Sequence, residues 1–217
     1  MASPSLVPPP EQPIRLVPPS AGPATGPLAG EPSLIAFPSF VVGAVAFAMV
    51  LIGVVPTAVV GAAMPIVLTA GLGMWVAAIW SARIGQSAPA GISAIVGGFF
   101  VSYALLALGL IHNWYGIPPT AITDTQKLFT ISWLVIVTML VLATLRMPSV
   151  FTLLFALVDV ALLVNLLSII QTSANLSKAS GWVLMAVSAL VVYFFASSAS
   201  QVTGGKEFPL GPPILHS

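Results

Sequence analysis

Six apolar runs, each about as long as a bilayer is thick, constrain this chain more than any other feature. They cover residues 36–55, 62–82, 91–111, 127–146, 149–170 and 179–200. A helix needs about 20 such residues to cross roughly 30 Å of hydrocarbon. Between the runs lie the residues that spans avoid: Pro56, Arg83 to Pro89, the stretch from His112 to Lys127 with Pro118 and Pro119, Arg146 to Pro148, and Gln171 to Lys178. The expected fold is therefore an all-α membrane protein, six transmembrane helices in a compact bundle over residues 31–204.

The composition leaves no soluble alternative. Apolar side chains make up 58% of the 217 residues and charged ones 5%, against about a quarter charged in an ordinary globular chain. A net charge of +1 offers no electrostatic footprint for nucleic acid. With no cysteine there are no disulfides, Cys-based metal sites, thiol nucleophiles or S-acylation. His112 and His216 are the only histidines, too few for a multi-histidine metal site. Neither a metal nor another cofactor is called for.

Residues 1–30 are rich in Pro, Gly and Ala. Proline fixes φ and lacks a donor, so this stretch is expected to be a disordered or polyproline-like tail. It has neither the basic start nor the early apolar core of a signal peptide, and Ala2 rules out myristoylation. Six spans put both termini on one side. That side carries Arg15, Arg83, Arg146 and Lys206, and the other Lys127 and Lys178. The excess of cations places both termini, including a tail from residue 205 to 217, in the cytoplasm. Trp114 and Tyr115 suit the opposite interfacial belt.

Small residues recur every four positions at Ala90, Ala94, Gly98 and Ser102, and again at Gly73 and Ala77. Such stripes let helix backbones approach closely in lipid. They fit packing within the chain or a face between subunits, and say nothing of a solute.

Asp159 is the one ionisable side chain in the middle of a span. A carboxylate at that depth is costly and must face a cavity, find a donor or stay protonated. Thr152, Phe155, Leu162 and Leu166 share its face at helical spacing. It is either a proton-titrating group on a permeation path or a protonated side chain bonded to another helix. Nothing resembles a Ser–His–Asp set or a phosphate loop, and His112 reads as an interfacial anchor beside Trp114. An enzyme is not expected.

The order of motifs resembles the acetate uptake transporter family, which contains the succinate–acetate permeases. Glu31-Pro32 followed by Phe40 is similar to the family's Asn-Pro-x-Pro-Leu-Gly-Leu-x-Gly-Phe opening. Gly85-Gln86-Ser87 leading into Gly97-Gly98-Phe99-Phe100 resembles its Gly-Asn-Thr-Phe-Gly and Tyr-Gly-Gly-Phe-Trp. Thr144-Leu145-Arg146 matches its Thr-Leu-Arg/Lys. Gly181-Trp182, Tyr193, Gly205-Lys206 and Pro209-Leu210-Gly211-Pro212 follow in the family's order. The resemblance spans about residues 31–212, hence all six helices.

This chain also departs from the family. Glu31 stands for the opening Asn and Leu34 for the second Pro. The Asn and His late in the first span fall on apolar residues near Ala48–Leu51, and two acidic positions fall on Ser81 and Ser198. Of the Phe, Tyr and Leu that narrow the family's pore, the resemblance implies Phe40, Val96 and Val158 here. Two valines there would widen an apolar constriction. Asp159 stands where the family has Thr, directly after Val158.

The resemblance implies passage of small monocarboxylates, acetate-like or somewhat larger, with protons, through a homo-oligomer, a hexamer, in the inner or plasma membrane. Its partners are then further copies of itself, membrane lipid and a small organic acid. Two other readings fit the lost polar residues and the apolar lumen: an accessory membrane protein that has lost transport, or a channel for a small neutral solute such as ammonia.

Overall fold

The computed structural model describes residues 30–215; the N-terminal tail expected from the sequence lies outside them, save Gly30. Six helices long and apolar enough to cross a membrane follow one another: α1 Ser33–Ile52, α2 Met64–Arg83, α3 Ser87–Ile111, α4 Ile122–Ala143, α5 Ser149–Gln171 and α6 Ala174–Val202. No strand occurs among the described residues. In hydrocarbon each backbone N–H and C=O must find its partner within the segment, and the helix satisfies nearly all of them. α2 is entered through a 3-10 turn over Thr57–Ala63, and Pro65 sits in its first turn, where a missing N–H costs nothing. α6 starts at Ala174, five residues ahead of its apolar run, because the Ser173 hydroxyl accepts from the Leu176 N–H (3.4 Å) and caps it.

Neighbours in space follow chain order with two exceptions: α1 pairs with α6, and α3 stands apart from α4. α2 lies along α3 and α1, α1 along α6, α6 along α5, and α5 along α4. α3 and α4 hardly meet through their backbones. Their gap is spanned by rings instead: Phe99 and Tyr103 of α3 pack against Phe129 of α4, at centroid distances of 5.8 and 6.0 Å. Phe99 also meets Trp133 edge-on at 5.5 Å.

The close crossings rest on glycine. A methyl group added to Gly71 of α2 would lie 2.9 Å from the carbonyl oxygen of Gly97 in α3. One added to Gly181 of α6 would lie 3.0 Å from the Ala48 carbonyl oxygen and 2.7 Å from the Ile52 side chain of α1. Trp75 donates its indole N–H to the Ala94 carbonyl (3.2 Å) across the first of these crossings. The buried face of α3 runs through Ser93, Gly97, Phe100 and Ala104, one register beside Ala90, Ala94, Gly98 and Ser102, none of which is buried. Gly181→Val is expected to lower stability by about 1–3 kcal/mol, the cost of overpacking a tight contact. A melting temperature in detergent equal to wild type would show that α1 and α6 do not meet at this point.

After α6 the chain turns back as a strap. Tyr193 donates its hydroxyl to the Pro209 carbonyl (3.0 Å), and the Phe208 N–H donates to the Ser197 hydroxyl (3.0 Å). The strap then reaches the start of α5, whose first N–H groups have no partner within the helix. Ser149 N–H donates to Pro212 carbonyl at 3.1 Å and Val150 N–H to Leu210 carbonyl at 3.4 Å.

Candidate permeation pathway

Helices α1, α3, α4, α5 and α6 supply nearly all the walls of a line of three cavities, while α2 packs on α1 and α3 and reaches one vestibule through Ser81. The middle one measures about 50 Å³ and is lined by Phe40, Val96, Phe100, Val137, Phe155, Val158 and Leu184, among others. The three constriction residues implied by the sequence, Phe40, Val96 and Val158, thus come from three helices to one small cavity. Phe40 meets Phe100 edge-on at 5.8 Å. Room for several waters exists there, since one needs only about 10–15 Å³. The lining gives them little to bond: Ser180 already donates its hydroxyl to the Ala161 carbonyl (2.7 Å), which leaves Asn165 and the Trp133 indole N–H. A cavity of this kind stays dry.

Two wider vestibules flank it. One, about 310 Å³, lies on the side of the described chain ends and is lined by Glu31, Ser81, Gln86, Ser197, Gln201 and Glu207, among others. Its floor is a stack of rings, with Phe151 4.8 Å and Phe37 5.7 Å from Phe194. Phe40 and Phe155 lie one helical turn deeper, in the wall of the central cavity. The other vestibule, about 500 Å³, shares Phe47, Leu51 and Asn165 with the central cavity and so runs into it. Its polar wall is uncharged: Tyr103, Gln126, Thr130, Asn165, Ser168 and Ser177. Glu31 and Glu207 are the charged residues lining any of the three.

The remaining motif residues serve the frame. Glu31 accepts the Ser33 N–H (3.3 Å) at the head of α1, where a carboxylate also suits the helix dipole, and Pro32 is fully buried beside it. Gly97 is the close crossing to α2, while a methyl on Gly98 would lie 3.3 Å from the Trp133 ring across the α3–α4 gap. Tyr193 holds the strap.

Asp159 is not among the residues lining these cavities. Phe155, Val158, Leu162 and Asn165 form the inner stripe of α5. At 100° per residue Asp159 is turned one step aside, toward α4. There the exposed Thr138 hydroxyl lies 2.9 Å from Asp159 Oδ1 and also 2.9 Å from the Leu134 carbonyl of its own helix, so its proton joins α4 to α5 near mid-depth in competition with a bond inside α4. No cation pairs with it; the one ion pair among the described residues joins Lys127 and Asp124 at 3.0 Å.

Asn165 escapes a reading of the sequence. Its side chain has no hydrogen-bond partner among the described residues and stands where the dry cavity opens into the uncharged vestibule. The available signal was its spacing, seven residues beyond Val158 on one helical stripe.

A sequence model described as the GPR1/FUN34/yaaH family matches residues 17–206. No curated protein sequence matches significantly. A solved structure described as "Structure of the bacterial acetate channel SatP" has the same fold, with a TM-score of 0.73 at 15% identity, over 84% of this chain and 99% of that one.

Proposed function

The chain belongs to the GPR1/FUN34/yaaH family, and from that premise we propose that it is a membrane channel or transporter for small monocarboxylic acids, which cross it undissociated and so carry a proton. The observation that bears this reading is the small apolar central cavity between two wider vestibules with polar walls. An anion entering it would leave its water with no cation to meet it, and an unpaired charge in an apolar site is far costlier than a neutral polar group. Closing by dewetting keeps ions and bulk water out while an acid with a short apolar tail passes. The likeness to an acetate channel supports acids of that size. Two valines at the neck support somewhat larger acids as well.

The reading extends to the assembly: a homo-oligomer, a hexamer by the family resemblance, with one lumen per protomer, in the inner or plasma membrane with both termini cytoplasmic. Uptake of labelled acetate into vesicles containing the purified protein tests the function. If the neutral acid is the permeant, uptake at fixed total acid should fall about tenfold between pH 6 and pH 7. Above a carboxyl pKa of about 4.3 the neutral fraction drops tenfold per pH unit. Uptake that does not change over this range would assign passage to the anion, and no uptake at any pH would leave the accessory role.

Asp159 enters this proposal as a clamp between α4 and α5 rather than a lumen proton carrier, because its carboxylate is taken up by Thr138. Asp159→Asn keeps an acceptor for that hydroxyl and should leave the pH profile unchanged. Asp159→Ala should lower the melting temperature modestly, by the roughly 0.5–1.5 kcal/mol net worth of one hydrogen bond, because the Thr138 hydroxyl keeps the Leu134 carbonyl (2.9 Å). A shifted pH profile in Asp159→Asn would instead give the proton step to this carboxyl.

A further inference from the structure

We propose that the same pathway passes small primary amides of the size of acetamide, and that Asn165 is the group that receives them. The proposal rests on the permeation reading above and adds a second class of solute to it. The central cavity and the wide vestibule expose no charged side chain. What they offer is neutral and unpartnered: the Asn165 and Gln126 amides, the Tyr103 and Ser168 hydroxyls and the Trp133 indole N–H. Asn165 stands at the junction of the two spaces, the last polar group before the apolar neck.

A side-chain amide presents a carbonyl acceptor and an N–H donor on one carbon. Its match is a solute that carries the opposite pair on one carbon. A primary amide does, and so does an undissociated carboxylic acid; each can close two parallel hydrogen bonds with Asn165. A carboxylate anion is acceptor-only. It would satisfy the Asn165 N–H and leave its carbonyl facing a second negative oxygen, in a space where an unmet polar group is penalised. The recognition chemistry therefore sorts by donor–acceptor pattern and not by charge, and acetamide has the shape, size and pattern of acetic acid without any dependence on pH. Within the neck the walls are hydrocarbon and rings, which accept the methyl group and discriminate little between amide and neutral acid.

The test uses full-length protein in vesicles. Shrinking and reswelling after an acetamide gradient is followed by light scattering, beside acetate uptake in the same preparation. Wild-type vesicles should reswell faster than protein-free ones, at a rate independent of pH from 6 to 8, and excess acetamide should slow acetate uptake. Asn165→Leu, of similar size, should lower amide permeation about tenfold, the loss of one to two neutral hydrogen bonds. N,N-dimethylacetamide, which lacks the donors, should gain nothing from the protein. Acetate uptake without faster amide reswelling or competition would overturn the amide proposal and leave the acid pathway standing. Absence of both fluxes would overturn the two together. Amide flux that Asn165→Leu leaves intact, in protein that melts as wild type does, would overturn the role of Asn165. The competition arm uses wild type alone, so it decides the question even if the variant does not fold.

Discussion

Val158→Trp is expected to reduce acid uptake to the level of protein-free vesicles. The cavity that Val158 lines has room for only a few waters, and an indole is far larger than the isopropyl group it would replace. Val158 projects inward from α5 between Phe155 and Leu162, which are both buried, so the new ring has the lumen as its one open direction. Because the residue is partly exposed to that space, fold and oligomer should survive, as size-exclusion profile and melting temperature will report. Uptake at the wild-type rate in a well-folded variant would mean that solute does not pass this point.

Phe40→Ala should act in the opposite sense on flux and strongly on stability. Phe40 is 7% exposed and meets Phe100 edge-on. Truncating a buried phenylalanine commonly costs about 3–5 kcal/mol, so the melting temperature should fall well below wild type. The same truncation joins the central cavity toward the ring stack at Phe37, Phe151 and Phe194. Uptake of acids longer than acetate should rise, with their rates approaching that of acetate as the neck loses its selectivity. A variant that melts lower yet transports with unchanged selectivity would make Phe40 a packing residue and nothing more.

The helices were legible in the sequence because lipid imposes a length on each of them, and six runs of that length leave little choice. Their ends were less so. The start of α6 lies in the polar stretch from Ala174 to Lys178, where only the capping hydroxyl of Ser173 marks it. The docking of the strap was not legible: Pro209 to Pro212 show neither period nor apolar run, and the bonds to the head of α5 reach residues some sixty positions earlier. In the site, family resemblance picked Phe40, Val96 and Val158, and the structure brings them to one cavity. Charge drew attention to Asp159 over Asn165. Which of the two faces inward depends on the rotation of α5 about its own axis. That rotation is set by packing against α4 and α6, and a helix apolar all round carries no stripe to announce it.

The pairing of α1 with α6 has a consequence for the order in which the protein can be built. Helices enter the membrane as the ribosome delivers them, so α1 waits through the synthesis of four others before α6 arrives to cover its second flank. Until then the Leu51 carbonyl lacks the Ser177 hydroxyl that donates to it (3.0 Å), and the ledge at Ala48 and Ile52 lacks Gly181. The strap comes later still, and with it the carbonyls that close the head of α5. Nascent chains halted before residue 174 should therefore be open arcs, held by lipid or an insertion factor along one flank. The lumen comes into being in a single late event, when the last helix shuts the ring.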